Sequence, residues 1–318
     1  MAPDSLAFDA IRVEKADNAV LIDDPILADA TPVAHDLARH HCRTDPATGE
    51  SCAWYHGYRL YKSLLSGKSP PAGQRSSGGW TAAHGTFFGS AFAALTRAPG
   101  FHRVLVSASS DYMMPSLAYD TYRRGNAPVD ITLVDICETP LKLSQWYAAR
   151  RGFAIRTERS DIFDFAPARP FDALCTHHFL NFIAPARRAE LFRKWRGMLR
   201  PGGRAVIVNS IRPDDASGAA GEYTPFAKDQ FVAAVRAMRR NARFVMPTTE
   251  ELVEVLLERD ARKRFEPVRS GEEVADTMAE AGFVIERLEE LDCSFAAVAG
   301  AARLPRKKGT FGLVAVAA

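Results

Sequence analysis

The chain has 318 residues, of which 47% are hydrophobic and 25% charged, the balance of an ordinary globular protein. Its 41 basic and 38 acidic residues leave a formal net charge of only +3. This charge is too even to favour a nucleic-acid partner, because phosphate binding needs concentrated positive charge. The sequence has no run of about 18 apolar residues, and its start, MAPDSLAFDA, lacks a basic region followed by an apolar core. We therefore expect neither a membrane span nor a signal peptide.

The five cysteines are odd in number and widely spaced, which favours reduced thiols in a cytoplasmic protein. Several potential zinc ligands lie within a short span: His40, His41, Cys42, Cys52 and His56. They show neither the CxxC nor the HxxxH spacing that marks zinc sites in a sequence. The sequence alone therefore predicts no metal site.

Residues 1–79 differ in composition from the rest and are predicted to form an N-terminal helical cap that covers the substrate. The cap ends in a stretch rich in Gly, Ser and Pro, which has the composition of a linker or loop. Upstream of it, an aromatic stripe recurs at helical spacing: Trp54, Tyr55, Tyr58 and Tyr61. The stripe either packs a small helical element onto the main domain or forms part of a lid over a substrate pocket.

Helices and strands alternate from Trp80 onwards. The predicted helices cover residues 80–97, 114–124, 141–151, 186–199 and 271–281. The predicted strands cover residues 103–107, 130–135, 154–159, 171–176, 204–209, 282–288 and 310–316. An insertion around 212–273 is mostly helical by pattern. This alternation indicates an α/β fold with a doubly wound, mostly parallel sheet and right-handed crossovers.

The stretch from Phe171 to Asn209 carries the most specific pattern of the chain. It reads as a buried strand, an amphipathic helix, the turn Leu-Arg-Pro-Gly-Gly ending at Gly203, and a second buried strand. This unit resembles the later half of the class I (Rossmann-like) S-adenosylmethionine-dependent methyltransferases, in which an LRPGG turn typically precedes the fifth strand. The resemblance covers residues 80–318. It implies a seven-stranded sheet with an antiparallel last strand, and S-adenosyl-L-methionine as the cofactor.

The resemblance also implies a cofactor site beyond the carboxyl ends of the strands, where the strand order reverses. The loop after the first strand normally carries glycines in this family; here it has none, so this first motif is degenerate. Asp135 corresponds to the carboxylate that binds the ribose hydroxyls. The acidic residue after the third strand corresponds to the contact with the adenine amino group. The predicted cofactor-binding residues are Ser107, Ala108, Ser109, Asp135, Ile136, Asp161, Ile162 and Thr176.

His177 and His178, at the end of the fourth strand, are the candidate catalytic residues. A histidine has an ordinary pKa of about 6.5 and can take a proton from an oxygen or nitrogen acceptor. Adjacent histidines at a strand end can also serve as packing and capping groups. The predicted substrate-binding residues are Tyr55, Tyr58, Tyr112, Asn209 and Arg212. Further candidates for substrate contact are His56, Trp80 and His84.

The sequence therefore predicts a methyltransferase that transfers a methyl group to an O, N or S atom of a small-molecule metabolite. Neither a nucleic-acid nor a membrane partner is expected, and a homodimer is left open. The glycine-free loop keeps two alternatives open. One is aminocarboxypropyl transfer or cyclisation with release of methylthioadenosine. The other, of a different class, is a non-catalytic binding protein with the methyltransferase fold.

Overall fold

The fold is taken from a computed structural model of the chain. It describes residues 26–44, 51–66, 82–97, 100, 102–212, 225–241, 245–259, 265–291 and 309–318. Residues 67–79 of the linker predicted from Ser66 to Gly79 lie outside the described residues, and so do Trp80 and Cys293. Within the described residues, no helix has the length and apolar character needed to cross a membrane.

The described residues form a seven-stranded sheet with the order β3-β2-β1-β4-β5-β7-β6. Its strands are β1 (His102–Ser107), β2 (Val129–Asp135), β3 (Ile155–Arg159), β4 (Phe171–His177), β5 (Leu199–Ile211), β6 (Phe283–Glu290) and β7 (Gly309–Ala317). The first five strands run parallel, and β7 pairs antiparallel with both β5 and β6. The predicted doubly wound sheet with an antiparallel last strand is confirmed.

The α-helices of the described residues include the five that were predicted with bounds, and the ends of those five lie within three residues of the predicted ends. They are α1 (Leu27–His41), α2 (Ala53–Ser66), α3 (Ala82–Leu95), α4 (Met113–Arg124), α5 (Glu138–Arg151), α6 (Pro185–Met198), α7 (Pro225–Asn241), α8 (Thr249–Val253) and α9 (Gly271–Glu280). Local signals fix several ends: Pro185 occupies the first turn of α6, and Gly152 closes α5 with a φ of +72°. Ser270 caps α9 by accepting a hydrogen bond from the Glu273 amide at 3.1 Å.

The Pro-Gly-Gly turn differs from its predicted place between a helix and a strand. Strand β5 begins at Leu199, which pairs with Phe171, and the register then shifts before Arg204 pairs with Ala173. The turn is therefore a bulge within β5, and the predicted strand start at residue 204 is five residues late. Gly203 lies against backbone here, since a Cβ atom would come within 2.9 Å of the Arg200 carbonyl oxygen.

The core lies on both faces of the sheet, as the period-two pattern of buried strand residues requires. Val104 and Val106 face a cluster built from α1, α3, α4 and α5, whereas Leu105 faces a cluster built from α6 and α9. A third cluster joins Tyr61 of α2 to the insertion helices through Phe231 and Leu252. The described part of the insertion contains α7 and α8, while the bounds of the insertion and a domain boundary at residue 79 stay predictions.

Gly312 of β7 lies directly against Phe87 of α3. A Cβ atom at this position would lie 2.5 Å from the buried ring of Phe87. We predict that Gly312→Ala lowers the free energy of unfolding by about 1–3 kcal/mol, because the ring must shift within a packed core. The matched control is Gly197→Ala in α6, where nothing lies within 4 Å of the new Cβ. Urea denaturation should show this control stabilised by up to about 1 kcal/mol, and equal effects would contradict the packing argument.

Ala108, directly after β1, has a φ of +63°, a left-handed conformation that costs an L-residue about 1–2 kcal/mol. We predict that Ala108→Gly raises the free energy of unfolding by up to about 1 kcal/mol, since relief of this strain exceeds the added chain entropy of glycine. Ala233→Gly, on the exposed face of α7, is the matched control and should lose about 1 kcal/mol. Destabilisation by both changes in thermal melts would show that the Ala108 turn stores no such strain.

Candidate functional site

The loops after β1, β2 and β4 meet at one edge of the sheet, because β1 pairs with β2 on one side and with β4 on the other. Thr176 at the end of β4 is buried, and its Oγ1 donates a hydrogen bond to the Ser107 carbonyl oxygen at 2.7 Å. The Ser107 hydroxyl in turn accepts from the Trp195 indole nitrogen at 3.2 Å. These bonds fix the two strand ends side by side at the point where the strand order reverses.

The backbone turns sharply after β1, although this turn contains no glycine. Ala108 takes the left-handed conformation, and its amide donates to the Val134 carbonyl oxygen at 2.9 Å. The next amide, that of Ser109, donates to Asp135 Oδ2 at 3.1 Å. Small side chains and a left-handed turn thus supply here the open backbone that glycines normally supply in such a loop.

Asp135 is the half-buried carboxylate at the centre of this edge. Besides Ser109, the Cys137 amide donates to it, reaching Oδ1 at 2.8 Å. Burial raises the pKa of this carboxyl group to about 6, against the lowering effect of both amide donors. A carboxylate offers about four lone-pair positions, so these two bonds leave acceptor capacity for the hydroxyls of a ribose. Ile136 follows with 67% of its surface exposed, an unusual state for isoleucine and one that suits contact with an adenine ring.

The loop after β3 comes next to the same carboxylate. The Ser160 amide donates to the Asp135 carbonyl oxygen at 3.2 Å, which places Asp161 and Ile162 at this edge. Asp161 is exposed, and its Oδ1 accepts a hydrogen bond from the Phe163 amide at 3.0 Å. Ile162 is 5% exposed and belongs to the core beneath the loop. The structure thus brings the predicted cofactor-binding residues to one edge, and their individual roles stay predictions.

Three histidine side chains converge at the end of β4. His84 of α3 is fully buried, and its Nδ1 lies 3.0 Å from His177 Nε2. His178 takes a left-handed conformation with a φ of +57°, and its Nδ1 lies 3.0 Å from Ser210 Oγ. One ring nitrogen of each of the three histidines lies within 4.8 Å of the others. The cluster is therefore a connected group of imidazoles next to the loop after β1.

The predicted substrate-binding residues do not form one group. Tyr112, the last residue of the loop after β1, is buried and stacks on Tyr147 at 4.3 Å between ring centroids. Asn209 is also buried, and its Oδ1 accepts from the Leu180 amide at 3.1 Å. The guanidinium of Arg212 lies over the Phe265 ring at 3.9 Å. For these three residues, packing in the fold accounts for the positions seen, and substrate contact stays a prediction.

The remaining two predicted substrate contacts lie on α2. The Tyr55 hydroxyl accepts from Arg59 Nη1 at 3.0 Å, and Tyr58 donates to Glu251 of α8. Arg59 also forms a largely buried ion pair with Asp111, with Nε 2.8 Å from Oδ2. This pair ties α2 to the loop after β1. Sequence reasoning missed it, although Arg59 stands one helical turn after Tyr55 and Asp111 closes the glycine-free loop.

Comparison with known proteins agrees with this geometry. Residues 116–203 match a family model described as "Methyltransferase domain". No curated protein matches the sequence.

Several solved structures are similar over most of their length. The N-methyltransferase NodS from Bradyrhizobium japonicum WM9 is 11% identical, with 72% of this chain and 93% of that chain covered and a TM-score of 0.42. Magnesium protoporphyrin IX methyltransferase from Synechocystis PCC 6803 is 12% identical, with 74% and 84% covered and a TM-score of 0.44. A methyltransferase from Mesorhizobium loti is 19% identical, with 71% and 96% covered and a TM-score of 0.43. Similarity at this level carries no information on the substrate.

The family match spans α4 to the Pro-Gly-Gly turn, and it lies within a sheet of the order expected for this family. Residues 116–203 therefore belong to a methyltransferase domain, which lies in a sheet of the class I order, and S-adenosylmethionine is the methyl donor that such a domain implies.

Proposed function

We propose that this enzyme methylates an O, N or S atom of a small-molecule metabolite, and that the acceptor lies beside the cluster of His84, His177 and His178. The observation that carries the proposal is the convergence of these imidazoles at the end of β4. Thr176 precedes His177 and His178 and is hydrogen-bonded to Ser107, the last residue of β1. Groups at this strand end therefore lie next to the cofactor loop, where a methyl group and its acceptor have to meet.

The hydrogen bond between His84 and His177 supports a role in proton transfer. An N–H···N contact of 3.0 Å needs one protonated and one unprotonated nitrogen, so the two facing nitrogens share one proton. When one ring takes up a proton from the acceptor, it can pass the shared proton to the other ring. The positive charge is then spread over two imidazoles, which suits a base that acts on a hydroxyl or a protonated amine.

The sulfonium of the cofactor supplies an already activated methyl group. The chain then has to hold the acceptor lone pair about 3 Å from that methyl carbon and on its axis. A thiolate or carboxylate acceptor needs only this positioning, whereas a hydroxyl or protonated amine also needs the base.

The cover that α2 and the insertion form over the proposed site favours a small acceptor molecule. The ion pair of Arg59 with Asp111 ties α2 to the loop after β1. His56 Nδ1 of α2 lies 3.3 Å from Cys137 Sγ, which follows β2. Helix α2 therefore lies across the carboxyl edge of the sheet. The insertion packs on α2 through the cluster around Tyr61. A site covered in this way admits a metabolite more readily than a polymer. The near-balanced charge of the chain agrees with this.

We predict that the purified chain, supplied with S-adenosylmethionine and a small-metabolite extract, produces S-adenosylhomocysteine and an acceptor heavier by one CH₂ group. Mass spectrometry measures both products. His177→Gln should lower the turnover rate by about 10²–10⁴-fold with the cofactor dissociation constant unchanged, because it removes a proton acceptor at the reacting end. His40→Gln, an exposed change at the end of α1, is the matched control and should keep full activity.

Two outcomes would contradict this proposal. Methylthioadenosine as the product would show attack on the aminobutyrate carbon of the cofactor in place of methyl transfer. Full turnover of His177→Gln would remove the histidine cluster from the reaction.

A second prediction tests the cofactor contact. Asp135→Asn should weaken S-adenosylmethionine binding by about 10- to 100-fold, because it removes a charged acceptor from the ribose hydroxyls. Asp130→Asn, at the opposite end of the same strand, is the matched control and should bind normally. Isothermal titration calorimetry measures both, and equal affinities for the two variants would place the ribose elsewhere.

A further inference from the structure

Four potential metal ligands meet where the N-terminal helices touch the loop after β2. Cys42 directly follows α1, Cys52 directly precedes α2, and His56 lies in the first turn of α2. Cys137 comes from the sheet side, between β2 and α5. The group combines three residues near the start of the chain with one that lies 81 residues beyond His56.

The distances among these four residues match a tetrahedron around one metal ion. Cys137 Sγ lies 3.7 Å from both Cys42 Sγ and Cys52 Sγ. His56 Nδ1 lies 3.4 Å from Cys42 Sγ and 3.3 Å from Cys137 Sγ. Zinc–sulfur bonds of about 2.3 Å and zinc–nitrogen bonds of about 2.0–2.1 Å separate two sulfurs by about 3.8 Å and sulfur from nitrogen by about 3.6 Å. All six pairs of ligand atoms lie within 4.8 Å.

Neither a disulfide nor a group of hydrogen-bonded thiols fits the cluster as well as a metal ion does. A disulfide needs a sulfur–sulfur distance of about 2.05 Å, and Cys42, Cys52 and Cys137 are all free thiols. Thiols are weak hydrogen-bonding groups, so three of them around one imidazole contribute little cohesion by themselves. Three thiolates and one imidazole are, in contrast, an established ligand set for a structural zinc ion.

The surroundings suit a site with thiolate ligands. Cys137 is the N-cap residue of α5, and Cys52 directly precedes α2, so both sulfurs lie at the positive ends of helix dipoles. Thr139 Oγ1 lies 3.1 Å from Cys42 Sγ, within reach to donate a hydrogen bond to a thiolate. Contacts of this kind around a metal orient its ligands and offset the negative charge of three thiolates.

We propose that Cys42, Cys52, His56 and Cys137 bind one structural zinc ion that fastens the N-terminal helices to the loop after β2. Four protein ligands close the coordination shell, so this ion has no open position for a substrate. It differs in this respect from the histidine cluster at the end of β4. The sequence spacing alone predicted no metal, and the fold supplies Cys137 as the ligand that completes the set.

The zinc ion also lies next to the proposed ribose contact. The amide of Cys137 donates to Asp135 Oδ1 at 2.8 Å, so the position of a metal-bound Cys137 fixes the rotamer of that carboxylate. We expect removal of the zinc to weaken S-adenosylmethionine binding. This part of the inference rests on the proposed role of Asp135.

The test begins with the metal content of the full chain, purified without a histidine tag or chelator. Inductively coupled plasma mass spectrometry should find about one zinc ion per chain. Cys52→Ser and Cys137→Ser should each retain less than about a tenth of it, since loss of one of four ligands opens the site. The matched control is Cys175→Ala, which changes a cysteine buried in the core outside the cluster and should retain the zinc.

A spectroscopic measurement keeps the proposal testable if the ligand variants do not fold. Cobalt(II) exchanged into the unmodified chain should show thiolate-to-cobalt charge-transfer bands and the intense visible bands of tetrahedral cobalt. An unmodified chain that binds neither zinc nor cobalt would overturn the proposal, as would a disulfide between Cys42 and Cys52. So would a metal that persists in Cys52→Ser and is lost in His177→Gln.

Asp135→Asn separates this inference from the proposed function. The variant should retain zinc while its affinity for S-adenosylmethionine falls. Zinc in an unmodified chain that does not bind S-adenosylmethionine would uphold the metal site and overturn the cofactor site. Normal S-adenosylmethionine binding by a chain without zinc would overturn the coupling between them.

Discussion

Parallel pairing of β1 with β2 on one side and with β4 on the other brings the loops after these three strands to one edge of the sheet. On either side of this point the helices pack on opposite faces of the sheet, α4 and α5 on one face and α6 on the other. Every candidate group depends on this arrangement. Asp135 ends β2, the left-handed turn at Ala108 follows β1, and His177 ends β4. The hydrogen bond from Thr176 to Ser107 keeps the strand ends in fixed register.

Two of the contacts that attach the N-terminal helices to this edge differ in chemistry. One is the largely buried ion pair of Arg59 and Asp111, in which each charge compensates the desolvation of the other. The other is the cluster of three cysteines and His56 at the loop after β2. Because both points lie on the loops of the proposed cofactor site, the position of α2 and the shape of that site are coupled. The insertion helices then pack on α2 through an apolar cluster.

Histidine occurs in both clusters of potential metal ligands, and its neighbours differ between the two. His84, His177 and His178 lie among imidazoles and a hydroxyl at the carboxyl end of β4, an arrangement that can move a proton. His56 lies among thiols between two helix N-termini, an arrangement that can hold a cation with a closed shell of ligands. Neither role follows from the residue type. Each follows from the neighbours that the fold provides.

The sequence by itself determined the fold class, the order of the elements and Asp135 as the end of β2, because periodicity and turn residues act over a few positions along the chain. It also placed His177 and His178 at a strand end, for the same reason. It did not determine the bulge at Pro-Gly-Gly, the partnership of Arg59 with Asp111, or the approach of His84 to His177. Only the tertiary structure decided these contacts, and it alone brought Cys137 to Cys42, Cys52 and His56. The physical reason is that such contacts join residues far apart in the chain, whose meeting depends on strand order and helix packing.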